Sequence, residues 1–214
     1  MRMVDTNNSS NDKAAKCVQA LIESFHPVET FGTIRAIDSE NIPAPFCSLL
    51  NHDSHMTVAM EAFHGHSVSL EVVSVAQEEA GARTSYTREI LLRSPVVNDK
   101  AFGLTSRQDE IQRKDNCVVQ YGIVRINTNL LPREVVARIE DGGTPLGRIL
   151  IEADLHREVR CVCVFEVMPG PYFGELCFGS ASKAVSRTFG RFATISIAEQ
   201  PVIELFEVVV PSVE

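Results

Sequence analysis

Two β-strands joined by a turn are predicted by residues 186–211, which read S-R-T-F-G-R-F-A-T-I-S-I-A-E-Q-P-V-I-E-L-F-E-V-V-V-P. The first strand alternates Phe192, Thr194 and Ser196 with Ala193, Ile195 and Ile197, which is the period of a half-buried strand. Residues 202–210 are apolar at every position except Glu204 and Glu207. A strand that is apolar on both faces is one that protein covers on both sides, so we expect this strand near the middle of the fold.

Glu204 and Glu207 are the two polar interruptions of that strand, and they are three residues apart. Alternate residues of a strand point to opposite faces, so the two carboxylates are expected on different sides of the sheet. A carboxylate among apolar neighbours is costly unless it is protonated, paired or facing a polar cavity. Either glutamate is therefore a candidate functional residue, and alternation alone does not choose between them.

Length and charge limit the possible classes of protein. The chain has 214 residues, of which 44% are hydrophobic, and this suits one domain or at most two small ones. We predict a disordered polar tail at residues 1–11 and a single domain at residues 12–214. The net charge of -8 argues against nucleic acid and against anionic membrane surfaces as partners.

Cysteine and histidine spacing gives no reason to expect a metal or a disulfide. The six cysteines fit neither framework, and His52 and His55 lack a third ligand at a suitable spacing. The N-terminus has no apolar signal core, and the chain has no run of about 18 apolar residues. We predict a reduced, cytoplasmic, soluble protein without a metal.

Periodicity along the rest of the chain predicts an α+β fold. We expect one antiparallel sheet of about six strands, with helices packed mainly on one side. Residues 94–116 are charged and rich in turn residues, and we predict a surface excursion there, either mobile or a lid. Helices are predicted at residues 12–26, 46–51, 54–65, 132–140 and from Thr144, and strands at residues 66–77, 85–93, 117–130, 159–168 and in the hairpin.

The strand at residues 85–93 carries two charged neighbours that must face opposite ways. Arg88 shares a face with Ile90, and this is the more apolar face, whereas Glu89 is predicted on the wetter one. A guanidinium offers two parallel donors, which suits it to clamping a carboxylate. The alternative for Arg88 is a structural salt bridge, with Glu89 or with a glutamate across the sheet.

Four fragments in order resemble the chorismate pyruvate-lyase family. They span roughly residues 46–211, and each is weak alone because short strings recur by chance. The fragments are His55-Met-Thr57 within a helix start, Arg88-Glu-Ile-Leu-Leu92 on a strand, the turn Thr144-Pro-Leu-Gly-Arg148, and Gly190-Arg191 followed by Glu207-Val-Val-Val-Pro211.

The resemblance implies a chorismate lyase-like fold and a pyruvate-releasing lyase that converts chorismate to 4-hydroxybenzoate without a cofactor. Carried over position by position, the ligand-contacting residues are Met56, Arg88, Leu146 and Glu207. Arg88 and Glu207 are the implied catalytic residues. Arg88 would hold a carboxylate and Glu207 would meet the ring hydroxyl. The spacing to the following proline selects Glu207 over Glu204.

Two other functions remain open at this point. The same fold serves as the ligand-sensing domain of some bacterial transcription regulators, so a non-catalytic domain that binds a benzoate-like acid is the first alternative. The second is a relative that acts on a different chorismate-like acid, because the excursion at residues 94–116 is longer than the family's pattern. Arg191 is a possible second cation for a dianionic ligand, and the sequence does not decide its role or the oligomeric state.

Overall fold

The computed structural model describes residues 6–80, 83–95, 117–179 and 185–211. These residues form seven α-helices and seven β-strands, with two short 3-10 turns at Ser39–Asn41 and Thr128–Leu130. The helices are α1 (Thr6–Glu23), α2 (Val28–Phe31), α3 (Phe46–Leu50), α4 (Met56–His64), α5 (Arg133–Asp141), α6 (Leu146–Glu152) and α7 (Pro171–Phe178). The strands are β1 (Gly32–Ile37), β2 (Ser69–Ala80), β3 (Arg83–Ser94), β4 (Cys117–Asn127), β5 (Arg157–Pro169), β6 (Thr188–Ile197) and β7 (Gln200–Val209).

All seven strands belong to one sheet in the order β1-β5-β6-β7-β4-β3-β2, and every neighbouring pair is antiparallel. The predicted class, an α+β fold with a single antiparallel sheet, is confirmed. The sheet has one strand more than the six or so that we predicted. The additional strand is β1, which lies at the sheet edge and pairs with β5.

Helices cover both faces of the sheet. The four helices α3 to α6 collect on one face, which we call the cavity face. The other three, α1, α2 and α7, pack on the reverse face, where Leu21, Phe31 and Phe173 are completely buried. Four of the seven helices thus lie on one face, and the other three, which include the 18-residue α1, cover the reverse face.

Strand β7 is covered on both sides, as its apolar sequence predicts. Phe206 and Val208 are buried in the cluster on the reverse face, whereas Leu205 and Val209 are buried on the cavity face. Complete burial of such a side chain contributes about 1.5–3 kcal/mol. The neighbours of β7 are β6 and β4, so the strand lies in the middle of the sheet.

The N-terminal boundary differs from the prediction. Helix α1 begins at Thr6 and not at Asp12, so the part of the predicted tail from residue 6 onward is helical. The Oδ1 atom of Asn11 accepts a hydrogen bond from the Cys163 thiol at 3.4 Å. The division into a tail and one domain stays a prediction, and residues 96–116 of the predicted excursion lie outside the described residues.

Two further features of the described residues concern membrane-spanning helices and disulfides. None of their helices combines the length and the apolar character that crossing a bilayer requires. All six cysteines are free thiols.

Candidate functional site

The centre of the cavity face is a row of residues that lie side by side on four strands. The row runs from Ile90 on β3 through Gly122 on β4 and Glu207 on β7 to Arg191 on β6. Gly122 has no side chain, which leaves a depression between Ile90 and Glu207. A Cβ atom at Gly122 would approach the Ile90 Cγ1 atom to 3.2 Å, so a larger residue would intrude on this space.

A small cavity of about 30 Å³ lies above this depression. It occupies the place where the two apolar clusters of the cavity face meet, and it has room for about one water molecule. Its lining is mostly apolar with a few polar side chains at one end. The lining residues are His55, Met56, Thr57, Ile90, Leu92, Gln120, Val124, Pro145, Leu146, Gly147, Val159, Arg191, Ile195, Leu205 and Glu207.

Arg191 and Glu207 form a buried ion pair in the floor of the cavity. The Arg191 Nε atom donates to the Glu207 Oε2 atom at 2.8 Å, and the side chains are 0% and 8% exposed. The two other guanidinium nitrogens bind the loop between α3 and α4. Nη1 donates to the His52 carbonyl at 2.8 Å, and Nη2 donates to the Ser54 carbonyl at 3.0 Å. Arg191 therefore holds this loop against the sheet.

His52 belongs to the same network and is neutral in it. Its Nε2 atom lies 2.9 Å from the Leu49 carbonyl, which can only accept, so the proton is on Nε2. Its Nδ1 atom therefore accepts hydrogen bonds, from the Ser54 hydroxyl at 2.8 Å and from Arg191 at 3.1 Å. Burial lowers the pKa of His52, and the positive charge of Arg191 lowers it further.

His55 forms one wall of the cavity. Its Nε2 atom accepts a hydrogen bond from the Arg157 Nε atom at 2.9 Å, so the ring proton is on Nδ1. Burial lowers the pKa of His55, and the Arg157 charge acts in the same direction. Gly147 at the start of α6 makes room for this ring, since a Cβ atom there would come within 2.9 Å of the His55 Cβ atom.

Arg88 lies one row away from the cavity floor and is 0% exposed. Its Cα partner on β4 is Val124, and its neighbour on the same face is Ile90, both of which line the cavity. The Nη1 atom donates to the Ile139 carbonyl at the end of α5 at 3.0 Å. The Nε and Nη2 atoms are buried and have no hydrogen-bond partner among the described residues.

Burial lowers the pKa of Arg88, and this effect is only partly opposed by Tyr86, which neighbours it on the same strand face and acts through its charge and a side-chain hydrogen bond. A buried guanidinium with donors left over is unusual, because buried polar groups are nearly always paired. The alternative considered for Arg88, a structural salt bridge, is not found, since no carboxylate of the described residues pairs with it.

The four predicted site residues are distributed as follows. Met56, Leu146 and Glu207 line the cavity, and Arg88 lies beside it without contributing to its lining. Glu204, the alternative on β7, pairs with Arg125 and its side chain is 38% exposed. Assignment of the four residues to a ligand stays a prediction.

Gln120 is a polar residue of the cavity that sequence reasoning missed. It is 2% exposed, and its Nε2 atom donates to the Glu207 Oε1 atom at 3.4 Å. Its Oε1 atom is buried without a hydrogen-bond partner in the described part of the chain. A glutamine in the middle of the apolar strand β4 is the sequence signal that could have identified it.

The prediction that Glu89 lies on a wet face is wrong. Helices on the reverse face cover it, and its side chain is 0% exposed. Its carboxylate accepts hydrogen bonds from Tyr121 at 2.7 Å and from Tyr172 at 3.0 Å, and His26 Nε2 lies 3.1 Å from both oxygens. Burial and the adjacent Glu89 raise the pKa values of both tyrosines. Alternation shows which face a residue occupies but not what covers that face.

The described residues contain no group of three or more histidine, cysteine, aspartate or glutamate side chains that could hold a metal ion.

No family model matches the chain, and no curated protein matches it. Solved structures with a similar chain path do exist. The effector domain of PhnF from Mycobacterium smegmatis has a TM-score of 0.48 at 10% identity, and the alignment covers 73% of this chain and 88% of that one. Another structure of PhnF from the same organism has a TM-score of 0.49 at 11% identity, and the alignment covers 98% of this chain and 89% of that one.

A third structure is that of the possible transcriptional regulator YydK from Bacillus subtilis, with a TM-score of 0.42 at 9% identity and coverage of 94% of each chain. Likenesses of this strength concern the chain path and do not identify a ligand. No function is therefore carried over from these proteins.

The prediction of a pyruvate-releasing lyase is wrong. The similar solved structures are of an effector domain and of a possible transcriptional regulator, and none of the three is described as a lyase.

Proposed function

We propose that the chain is a non-catalytic domain that binds a small aromatic carboxylic acid on the cavity face. Arg88 holds the carboxylate, and the apolar lining of the cavity receives the ring. This is the benzoate-binding alternative that the sequence left open, without turnover of the ligand.

The observation that carries the proposal is the pair of unpartnered nitrogens on Arg88. The Nε and Nη2 atoms are on the same edge of the guanidinium, and their N–H groups are nearly parallel. This edge matches the two oxygens of a carboxylate, which it binds with two hydrogen bonds. An isolated buried charge is costly, so a ligand anion that pairs with it regains free energy that the empty protein lacks.

Comparison of the two completely buried arginines supports this role. All three guanidinium nitrogens of Arg191 donate to groups of the protein, namely Glu207, His52 and Ser54. Only the Nη1 atom of Arg88 does so. Arg191 is thus a structural residue, and Arg88 has unused donors for a ligand.

The apolar lining suits an aromatic ring, and its side chains must move to admit one. The present cavity of about 30 Å³ is smaller than a benzene ring requires. Met56 and Leu146 reach it from the first residues of α4 and α6, and both are flexible side chains at the edge of helices. Methionine in particular adapts its shape at low cost. Binding therefore proceeds with rearrangement of these two residues.

A binding experiment tests the proposal directly. Isothermal titration calorimetry compares benzoate with benzamide, which has the same ring and no negative charge. We expect benzoate to bind and benzamide to bind at least about tenfold more weakly, because a charge-assisted bidentate pair contributes about 2–3 kcal/mol. Arg88→Lys retains the charge but not the two parallel donors, and we expect it to weaken benzoate binding by a similar factor.

The matched control is Arg35→Lys, at an exposed arginine that pairs with Glu166 far from the cavity, and it should bind benzoate as the wild type does. Circular dichroism establishes that each variant is folded. Absence of binding for a panel of substituted benzoates at millimolar concentration would overturn the proposal. Equal affinity of the wild type and Arg88→Lys would remove Arg88 from the site.

A further inference from the structure

We propose that Gln120 selects ligands that carry a hydrogen-bond donor at the end opposite the carboxylate. This rests on the proposed function and adds a specificity-determining residue to it. The ligand class is then an aromatic acid with an amino or hydroxyl group across the ring from the acid, rather than any benzoate-like acid.

The first step is the unpaired acceptor. The Gln120 Oε1 atom is buried without a hydrogen-bond partner in the described residues, and Gln120 lines the cavity. Its orientation is set by Glu207, because the Nε2 atom donates to that carboxylate at 3.4 Å. Exchange of the amide oxygen and nitrogen would place two acceptors side by side. The amide oxygen therefore remains the group that is open to a partner.

The second step is position. Gln120 pairs with Leu92 on β3, and Arg88 pairs with Val124 on β4. The two residues therefore lie on neighbouring strands and are offset by four residues along the strand direction. Strand spacings put their Cα atoms roughly 14 Å from one another. The row of Ile90 and Gly122 lies between them. Gln120 thus lines the cavity at one end of this row, and Arg88 lies just beyond the lining on the other side of the row.

The third step is the chemistry of the two ends. Arg88 can only donate hydrogen bonds, and the Gln120 oxygen can only accept them. A buried acceptor without a partner costs about 1–3 kcal/mol, so a ligand that supplies an N–H or O–H at this point removes the cost. A methyl group of equal size displaces any water from the cavity and leaves the acceptor unpaired.

Matched ligands measure this preference. The affinities of 4-aminobenzoate and 4-hydroxybenzoate are compared with that of 4-methylbenzoate, which has nearly the same shape and no donor. We expect the two donor ligands to bind wild-type protein at least about tenfold more tightly than the methyl compound. In Gln120→Met, which has similar size and no acceptor, we expect this ratio to fall to about one.

Asn127→Leu is the control variant. Asn127 is on the same strand and its Oδ1 atom is also buried without a partner, but it does not line the cavity. In this variant the ratio between the affinities of the donor ligands and of 4-methylbenzoate should keep its wild-type value. A ratio near one in wild type, as expected if a resident water satisfies Gln120, would overturn the inference while leaving the acid-binding function intact. A high ratio that persists in Gln120→Met would also overturn it. Failure of all three acids to bind would instead overturn the proposed function, and the inference with it.

Discussion

At the residue scale, the ion pair of Arg191 and Glu207 explains why a charged pair persists in an apolar face. Each guanidinium nitrogen donates to the protein, and two of the acceptors are carbonyls of the loop between α3 and α4. That loop leads directly to His55 and Met56, which line the cavity. The pair therefore positions part of the cavity wall.

Removal of one partner leaves a buried charge alone, so we expect Arg191→Met to lower the free energy of unfolding by about 3–5 kcal/mol. Urea denaturation measures this value. Glu207→Gln should also destabilise, and the double variant should lose less than the sum of the two because their interaction is removed only once. The exposed pair of Arg138 and Glu152 provides the comparison, and Arg138→Met should cost less than about 1 kcal/mol. Additive effects of Arg191→Met and Glu207→Gln would contradict the coupling.

His52 and His55 have lowered pKa values for the same physical reason, burial beside an arginine. The unfolded chain therefore takes up protons at a higher pH than the folded protein does. The contribution of the two histidines to the free energy of unfolding is fully present above the ordinary histidine pKa of 6.5. It is lost as the pH is lowered from 6.5 toward the pKa values of the folded protein. NMR titration of the imidazole protons should give midpoints below 6.5 for both residues. A midpoint at or above 6.5 for either would show that its ring is not held neutral as described.

The family resemblance selected Glu207 over Glu204, but the sequence did not identify the partner of Glu207. Apolar neighbours predicted that a glutamate of this strand is protonated, paired or facing a polar cavity, and the structure places Arg191 directly opposite Glu207 on β6. Strand register determines which residues are opposite, and register depends on the turn at Ala198 and Glu199, both of which have positive φ angles of 48° and 65°. Single-strand alternation contains no information about register, so the role of Arg191 could not be predicted from it.

At the element scale, the buried carboxylate of Glu89 joins three separate pieces of the fold. His26 follows α1, Tyr121 is on β4 and Tyr172 is on α7, and each contacts Glu89 on β3. The rings of His26 and Tyr172 are also in contact, with centroids 3.7 Å apart and planes tilted by 30°. This cluster fixes the short helix α7 and the end of α1 to the reverse face.

We expect Tyr172→Phe to loosen α7 without unfolding the sheet. The variant removes the hydroxyl that contacts both oxygens of Glu89, which should cost about 1–2 kcal/mol. Amide hydrogen exchange should accelerate in α7 and remain unchanged in α5, which lies on the other face. Unchanged exchange in both helices would mean that the cluster does not hold α7.

Most elements were predicted at the correct places, and three were not, namely the four-residue helix α2, strand β1 and helix α7. Strand β1 has six residues and lies at the sheet edge, and α7 follows directly after the Pro169 turn with a weakly periodic sequence. Both are stabilised by tertiary contacts, β1 by pairing with β5 and α7 by burial of Phe173 and Phe178. Local pattern is weakest where long-range packing selects the structure.

At the scale of the whole molecule, the two faces of the sheet differ in how their buried charged residues are partnered. Residues Arg88 and Glu89 are consecutive on β3 and point to opposite faces, and both are completely buried. Glu89 is fully partnered by the reverse face, whereas Arg88 has two unpaired donors on the cavity face. An unpaired buried charge lowers the stability of the folded protein. Such a destabilising residue is expected where its charge binds a ligand.

Arg88→Met is the most direct test of that account, with both the free energy of unfolding and benzoate binding measured on the same protein. Methionine fills a similar space without the unpaired charge, so we predict a ligand-free variant more stable than wild type by about 1–3 kcal/mol that no longer binds benzoate. A variant that is less stable than wild type would show that Arg88 supports the fold. Retained benzoate binding would show that the acid is held elsewhere, and either result would contradict the central claim.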